Sequence, residues 1–382
     1  MTTTWDEARA IARSSGSVLP AEDVTLAEAL DRTLAAPVTA RTDLPGFDTS
    51  AMDGWAVCGT GPWQVVVDIL AGNPSDVTLA AGEAATIATG AAAPAGADEV
   101  IRSEDGTLID GYLHADRTEP GHHLRPRGEE VSAGEELASA GTLVTPALVG
   151  LLAAAGLDTV PVVAIPRVHL LLLGDELLDA GVPGLGQVRD SLGPQLPGWV
   201  ARLGGRVTAV TRVPDTVPDL VAALRAASDA DVIATTGGTA AGPVDCLHAA
   251  LAEIGAALRV DTVAVRPGHP MLLADAGGTP VLGLPGNPQS AVVALVTLGA
   301  PLLRALLGRP EPVPIEVVLD TALPAPAREN RLVLGNVADG IFTAASHLGS
   351  AMLRGLAASS GFAVLPPGGA AAGTEVRWLP LP

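Results

Sequence analysis

Between Pro166 and Gly308, short apolar runs alternate with stretches of helical length, and that alternation limits the possible folds more than any other feature of the chain. Val168-His169-Leu170-Leu171-Leu172-Leu173 stops at Gly174, as a strand buried on both faces does. A helix-like stretch runs from Pro194 to Leu203. Val207–Val210 reads as the next strand, Pro218–Ala227 as the next helix and Asp231–Thr235 as a third strand. Alternation of this kind implies a doubly wound α/β sheet. The flanks differ in character. Residues 5–40 carry Ala and Leu at helical spacing, with Pro37 as a stop, and predict a helical N-terminal segment. Residues 41–117 hold short β-like runs such as Gln64–Val67, broken by Gly and Pro, and predict a β-rich insert. Thr145–Ala155 reads as a helix ending at Gly156. The Pro- and Gly-rich stretch after Pro310 reads as a small barrel or sandwich. The expected division is 1–40 with 118–162, then 41–117, 163–309 and 310–382.

Composition excludes several chemistries. All 22 basic residues are arginine, so no lysine can form a Schiff base or complete a Walker-type phosphate loop. The two cysteines, Cys58 and Cys246, are far apart and form neither a disulfide framework nor a zinc pair. A net charge of −20 argues against nucleic acid. It also requires that any anionic substrate be met by arginine, backbone N–H groups or a metal ion. The N-terminal stretch carries acids and lacks an apolar core, so it does not read as a signal peptide. The apolar run from Ala291 to Leu303 is too short to span a bilayer and reads as a buried helix. No membrane association and a cytoplasmic location are expected.

Three loops stand out at the carboxyl ends of expected strands, where open α/β sheets bind ligands. Thr236-Gly237-Gly238-Thr239-Ala240-Ala241-Gly242-Pro243-Val244-Asp245 joins a strand to a helix expected to begin near Pro243. Paired glycines let successive N–H groups face an anion, though the same pattern suits a plain tight turn. Gly174-Asp175-Glu176 places two carboxylates where Mg²⁺ could bind together with water and phosphate, or simply at an acidic first helical turn. Pro285-Gly286-Asn287-Pro288 makes a rigid loop in which Asn287 alone can both donate and accept.

Taken together, the motifs resemble the molybdopterin molybdenumtransferase family, which includes the E domain of gephyrin. The resemblance rests on F-D-T-S-A-M-D-G (47–54), A-T-G-A-A-A-P-A-G-A-D (88–98), R-P-R-G-E-E-V-S-A-G (125–134), L-L-G-D-E-L (172–177), the 236–245 loop, R-P-G-H-P (266–270) and G-L-P-G-N-P-Q-S-A (283–291). His347–Leu353 and Gly361–Pro366 also fit, and all occur in family order. The resemblance implies a four-domain subunit that dimerises, with a site between the α/β domain of one subunit and the inserted domain of the other. It implies Mg²⁺-dependent cleavage of adenylylated molybdopterin, with molybdate bound to the dithiolene and AMP released. A pterin adenylyltransferase and the machinery of molybdoenzyme maturation are the implied partners.

By position, the family's functional acids fall on Asp53, Glu176, Asp215 and Asp245, and its threonine on Thr89. Glu176 and Asp245 would hold the metal. Gly174, Asp175, Asp190, Ser191, Gly237, Gly238, Thr239, Gly242, Arg266 and Pro285–Pro288 would bind the pterin substrate. Four positions that are polar in the family are apolar here: Leu172, Leu173, Leu192 and Ala240. Its two lysines are replaced by Arg266 and His269. A diverged member that binds cofactor without catalysis is the alternative these departures support. A free-standing pterin adenylyltransferase is disfavoured by the extra flanking segments.

Overall fold

The computed structural model describes residues 2–116, 118–240 and 246–382. It divides into two compact units: residues 1–22, 31–35 and 162–382, and residues 23–30 and 36–161. Helix α1 (Trp5–Ser14) belongs to the first. Thr4 and Glu7 cap each other's backbone N–H at its start. The helix expected over 5–40 does not continue. Ser14-Ser15-Gly16-Ser17 ends it, because serine and glycine favour turns. The segment then forms a strand (Ala21–Thr25) and a single helical turn (Leu26–Ala29).

The second unit contains the β-rich insert. Strands β1 (Gly54–Val57), β2 (Trp63–Ile69), β3 (Glu83–Ile87), β4 (Glu99–Arg102), β5 (Gly106–Ile109) and β6 (Tyr112–Ala115) form a six-stranded sheet in the order β4-β1-β3-β2-β6-β5. Gly54 is required there. A Cβ at that position would lie 1.9 Å from the carbonyl oxygen of Ile101 on β4. Helix α2 (Pro146–Ala154) ends one residue before the expected position, with Gly156 at φ +85° beyond it.

The larger unit is built on β7 (Arg167–Leu173), α3 (Leu192–Arg202), β8 (Arg206–Val213), α4 (Val217–Ala226), β9 (Val232–Thr236), α5 (Leu247–Glu253), β10 (Ala257–Val260), β11 (Val265–Arg266), β12 (Leu272–Ala276) and β13 (Thr279–Leu284). The sheet order is β8-β7-β9-β13-β12-β10. β7, β8, β9 and β13 are parallel, whereas β12 runs antiparallel to both of its neighbours, β13 and β10. This antiparallel edge was not expected. It arises because Gly277 and Gly278, both at positive φ, fold β12 straight back onto β13. Two apolar clusters cover the faces of the sheet. One contains Leu170, Leu196, Leu282 and Leu302, and the other Leu171, Leu220, Leu224 and Leu251.

Helix α6 (Pro288–Leu306) is longer than the expected apolar run, at 19 residues. Its length and composition would cross a membrane, but 89% of its apolar window is buried inside the protein. A π turn over Leu295–Gly299 interrupts it. There the Val296 carbonyl accepts from Arg9 (2.8 Å) and the Thr297 hydroxyl from the Trp5 indole (3.0 Å), which docks α1. After α6, β14 (Ile315–Leu319), β15 (Asn330–Ala338), β16 (Ile341–Ala344), α7 (Leu353–Ala357), β17 (Gly361–Leu365) and β18 (Glu375–Pro380) follow. The pairings β15-β16-β14-β18-β17-β15 close a five-stranded barrel around Val317, Phe342, Leu365 and Trp378, as the expected fold class requires.

Candidate functional site

The four parallel strands end at one edge of the sheet, and the segments after them line a cavity of about 780 Å³ within the larger unit. Leu173, Gly174, Glu176 and Leu177 come from the end of β7, and Asp215 follows β8. Thr236, Gly237, Gly238 and Ala240 follow or end β9, and Gly286, Asn287 and Pro288 follow β13. Val188–Leu192, leading into α3, and Ala351 with Leu353 complete the wall.

The segment after β7 is a tight turn rather than the start of a helix. The Leu177 N–H donates to the Gly174 carbonyl at 3.2 Å. Gly174 sits at φ +130°, and a Cβ there would lie 2.9 Å from Leu177 Cγ. The two adjacent carboxylates have separate tasks. The Asp175 N–H donates to Asp215 Oδ2 (3.1 Å) while the Asp215 N–H donates to Asp175 Oδ1 (3.4 Å), a reciprocal clasp between neighbouring strand ends. Asp175 does not line the cavity. Glu176 does, and among the described residues its carboxylate takes no hydrogen bond or ion pair.

The glycine loop offers fewer amides than its sequence suggests. Gly237 and Gly238 are at φ +83° and +64°, but the Gly237 N–H is committed to the Leu284 carbonyl at 2.8 Å. The Gly238 N–H has no partner among the described residues and remains available to an anion. Thr239 is buried and does not line the cavity. Gly242 and Asp245 lie outside the described residues, as does the expected helix start at Pro243. In the proline loop, Pro285 is buried behind the wall. Asn287 is the N-cap residue of α6 but makes no side-chain cap bond, and its amide has no partner among the described residues.

Other candidates have structural duties. Asp190 is 8% exposed, and its Oδ1 accepts from the N–H groups of Leu192 (2.9 Å) and Gly193 (3.0 Å), capping α3. Ser191 lines the cavity. Leu172 does not: it packs beneath Gly193, whereas Leu173, Leu192 and Ala240 do reach the wall. Arg266 is not brought to the cavity. Its Nε donates to Glu329 at 2.8 Å, because β11 pairs with barrel strand β15. Arg189 is the one cationic side chain lining the cavity among the described residues. In the β-rich unit, the Thr89 N–H donates to Asp53 Oδ1 at 2.8 Å, and both residues are exposed. A separate cavity of about 470 Å³ in that unit contains neither.

Ala351 and Leu353 were not among the expected site residues. Their segment, His347–Leu353, had registered only as part of the family pattern. It reaches the cavity because the Gln289 N–H at the start of α6 donates to the Ser350 carbonyl at 3.0 Å.

Comparison with known proteins agrees with this architecture along the chain. The profile described as "MoeA N-terminal region (domain I and II)" matches residues 3–156. The "Probable molybdopterin binding domain" matches 169–305, and "MoeA C-terminal region (domain IV)" matches 316–381. Molybdopterin molybdenumtransferase 2 of Mycobacterium tuberculosis is 35% identical over 93% of this chain and 93% of its own length. The chain belongs to the molybdopterin molybdenumtransferase family. A further family member, the molybdopterin molybdenumtransferase of a Nostoc species, is 32% identical over 94% of this chain and 89% of its own. The solved structure of a molybdopterin biosynthesis MoeA protein from Pyrococcus horikoshii superimposes with a TM-score of 0.86 at 25% identity, covering 100% of both chains. The family's molybdopterin-binding match, residues 169–305, contains the carboxyl ends of all four parallel strands that build the cavity.

Proposed function

We propose that this chain is a molybdopterin molybdenumtransferase, transferring molybdenum into adenylylated molybdopterin with release of AMP. The observation that carries the proposal is the cavity itself. A carboxylate (Glu176), an amide N–H (Gly238) and a side-chain amide (Asn287) that have no partner among the described residues, with one guanidinium (Arg189), line a single pocket at the carboxyl ends of the strands. That set suits a phosphoanhydride and the cation that accompanies it.

Mg²⁺ fits the donor set. It is held by one or two carboxylates together with phosphate oxygens and water, and Glu176 has its full acceptor capacity free. Glu176, with Asp245, would hold it. When bound, it supplies positive charge against the phosphates and the leaving AMP. Among the described residues, no group of three or more His, Cys, Asp or Glu side chains is gathered to hold a metal without a substrate. The Gly238 N–H would bind a phosphate oxygen, and Arg189 offsets the field of an acidic chain. Asn287 orients the ligand by donating and accepting. Leu173, Leu192 and Ala240 exclude water from one side. Molybdate enters as an oxyanion substrate.

Asp53 and Thr89 in the β-rich unit, and Asp215, which lines the cavity and also braces the Glu176 turn, are the further catalytic residues of this proposal. It includes a cytoplasmic homodimer, a four-part division at 41, 118, 163 and 310, and exchange with a pterin adenylyltransferase and molybdoenzyme maturation. The three six-stranded sheets and the three matched segments support the division. The apolar wall favours one second reading, a member that holds the cofactor without turnover. Purified protein incubated with adenylylated molybdopterin, Mg²⁺ and molybdate decides between them: AMP release supports the transferase, and binding without AMP supports the second reading.

A further inference from the structure

The turn that carries Glu176 is secured chiefly by polar contacts. Leu177 and Leu178 form a short parallel bridge with Val188 and Arg189, and the Arg189 guanidinium donates to the Leu178 carbonyl (2.7 Å). The strongest convergence is on another side chain. Arg212, on β8, stands in register with Leu172 of β7. One guanidinium nitrogen donates to the Leu177 carbonyl at 2.8 Å and reaches the Gly174 carbonyl at 3.4 Å. The other donates to Asp179 Oδ1 at 2.5 Å. Gly174 and Leu177 are the two ends of the turn, and Asp175 and Glu176 are its middle. The planar fork of a guanidinium grips such divergent acceptors together, which a compact ammonium does not. Arg212 itself does not line the cavity.

We propose that Arg212 is a positioning residue: its guanidinium locks the Gly174–Asp179 turn so that the Glu176 carboxylate is presented to the cavity, and the rate of AMP release depends on it although it touches no substrate. The dependence on rate rests on the function proposed above. The clasp between Asp175 and Asp215 is a second tether, so loss of Arg212 loosens the turn without releasing it.

The test compares wild type with Arg212→Ala, Arg212→Lys and Asp179→Ala, using Arg212→Gln if the alanine variant does not fold. Hydrogen exchange should show the amides of 174–179 in Arg212→Ala exchanging at least about tenfold faster while other segments keep their protection. Asp179→Ala should change little, because that carboxylate is 70% exposed. With adenylylated molybdopterin, Mg²⁺ and molybdate, kcat of Arg212→Ala should fall by on the order of 10²-fold, the cost of a displaced catalytic group, with KM changed only severalfold. Lysine should not restore it. Free guanidinium at a non-denaturing concentration should partly rescue Arg212→Ala but not Glu176→Gln. Unchanged exchange of the turn, or an unchanged kcat in a variant whose turn is loosened, overturns the role given to Arg212. A wild type that releases no AMP overturns the proposed function and the rate claim with it, while the exchange result still decides whether Arg212 holds the turn.

Discussion

Replacing Leu173 with threonine and Ala240 with serine together should tighten binding of adenylylated molybdopterin. Both residues line the cavity, so each would present an apolar surface to a bound ligand rich in phosphate oxygens and pterin donors. A hydrogen bond to a charged group contributes about 1.5–3 kcal/mol when well made. Even one of the two new hydroxyls engaging a phosphate oxygen should improve affinity by roughly tenfold or more. The opposing effect falls on stability. Leu173 also belongs to the buried cluster with Val213, Leu220 and Leu224, and shortening it there costs about 1–3 kcal/mol. Each kcal/mol corresponds to a melting shift of roughly 1–2 °C for a chain of this size. Titration calorimetry should therefore be run well below the melting temperature, at one salt concentration. Leu172→Thr is the internal control, since Leu172 packs beneath Gly193 and does not reach the cavity. It should destabilise without tightening binding. Equal or weaker affinity in the double variant, or equal tightening from Leu172→Thr, would refute the assignment of the apolar wall.

Gly193→Ala should lower the melting temperature, because its Cβ would lie 2.3 Å from Asp190 Oδ2 and displace the cap of α3. Asp190→Ala should cost about 1 kcal/mol by chemical denaturation, the usual worth of a helix cap. Arg266→Ala should leave substrate affinity within about twofold, because its guanidinium is held by Glu329 away from the cavity. A loss of tenfold or more by calorimetry would place Arg266 at the ligand after all. Asp43 sits below the ordinary carboxylate range because the Ala133 N–H (2.7 Å) and the Arg127 side chain favour its charged form. A depressed folded-state pKa contributes stability that is present above the unfolded value, near 4, and lost as pH falls through the folded one. Melting curves of Asp43→Asn should thus be less pH-dependent between about pH 5 and 2 than those of wild type. Sedimentation at micromolar concentration should show a dimer; a monomer would remove that part of the proposal.

The central sheet was legible in advance because buried parallel strands must be continuously apolar. Arg167–Leu173 and Val232–Thr236 lie within one residue of their expected positions. The segment after α1 was misread because Ala and Leu keep helical spacing there, while Ser14–Ser17 and Pro20 decide the local outcome. Glu176, Gly238 and Asn287, which stand out in loop motifs, meet Asp215, implied only by the family resemblance, in one cavity, since all follow strands that end at the same edge. What motif reading could not provide was the set of long-range partners. Gly237 loses its amide to Leu284, Arg266 is taken by Glu329, and Ala351 and Leu353 arrive from the barrel. Each depends on a contact between residues tens of positions apart, for which no local pattern exists. Arg212 is a case of the same kind, an arginine in a strand whose role is visible only once its three acceptors are in place.

The most direct test of the account is the release of AMP from adenylylated molybdopterin by the purified chain, followed by chromatography with Mg²⁺ and molybdate added or withheld. Release should require Mg²⁺, be driven by molybdate, and be lost in Glu176→Gln while the melting temperature stays within a few degrees of wild type. Undiminished release by Glu176→Gln, or by wild type in excess chelator, would contradict the account.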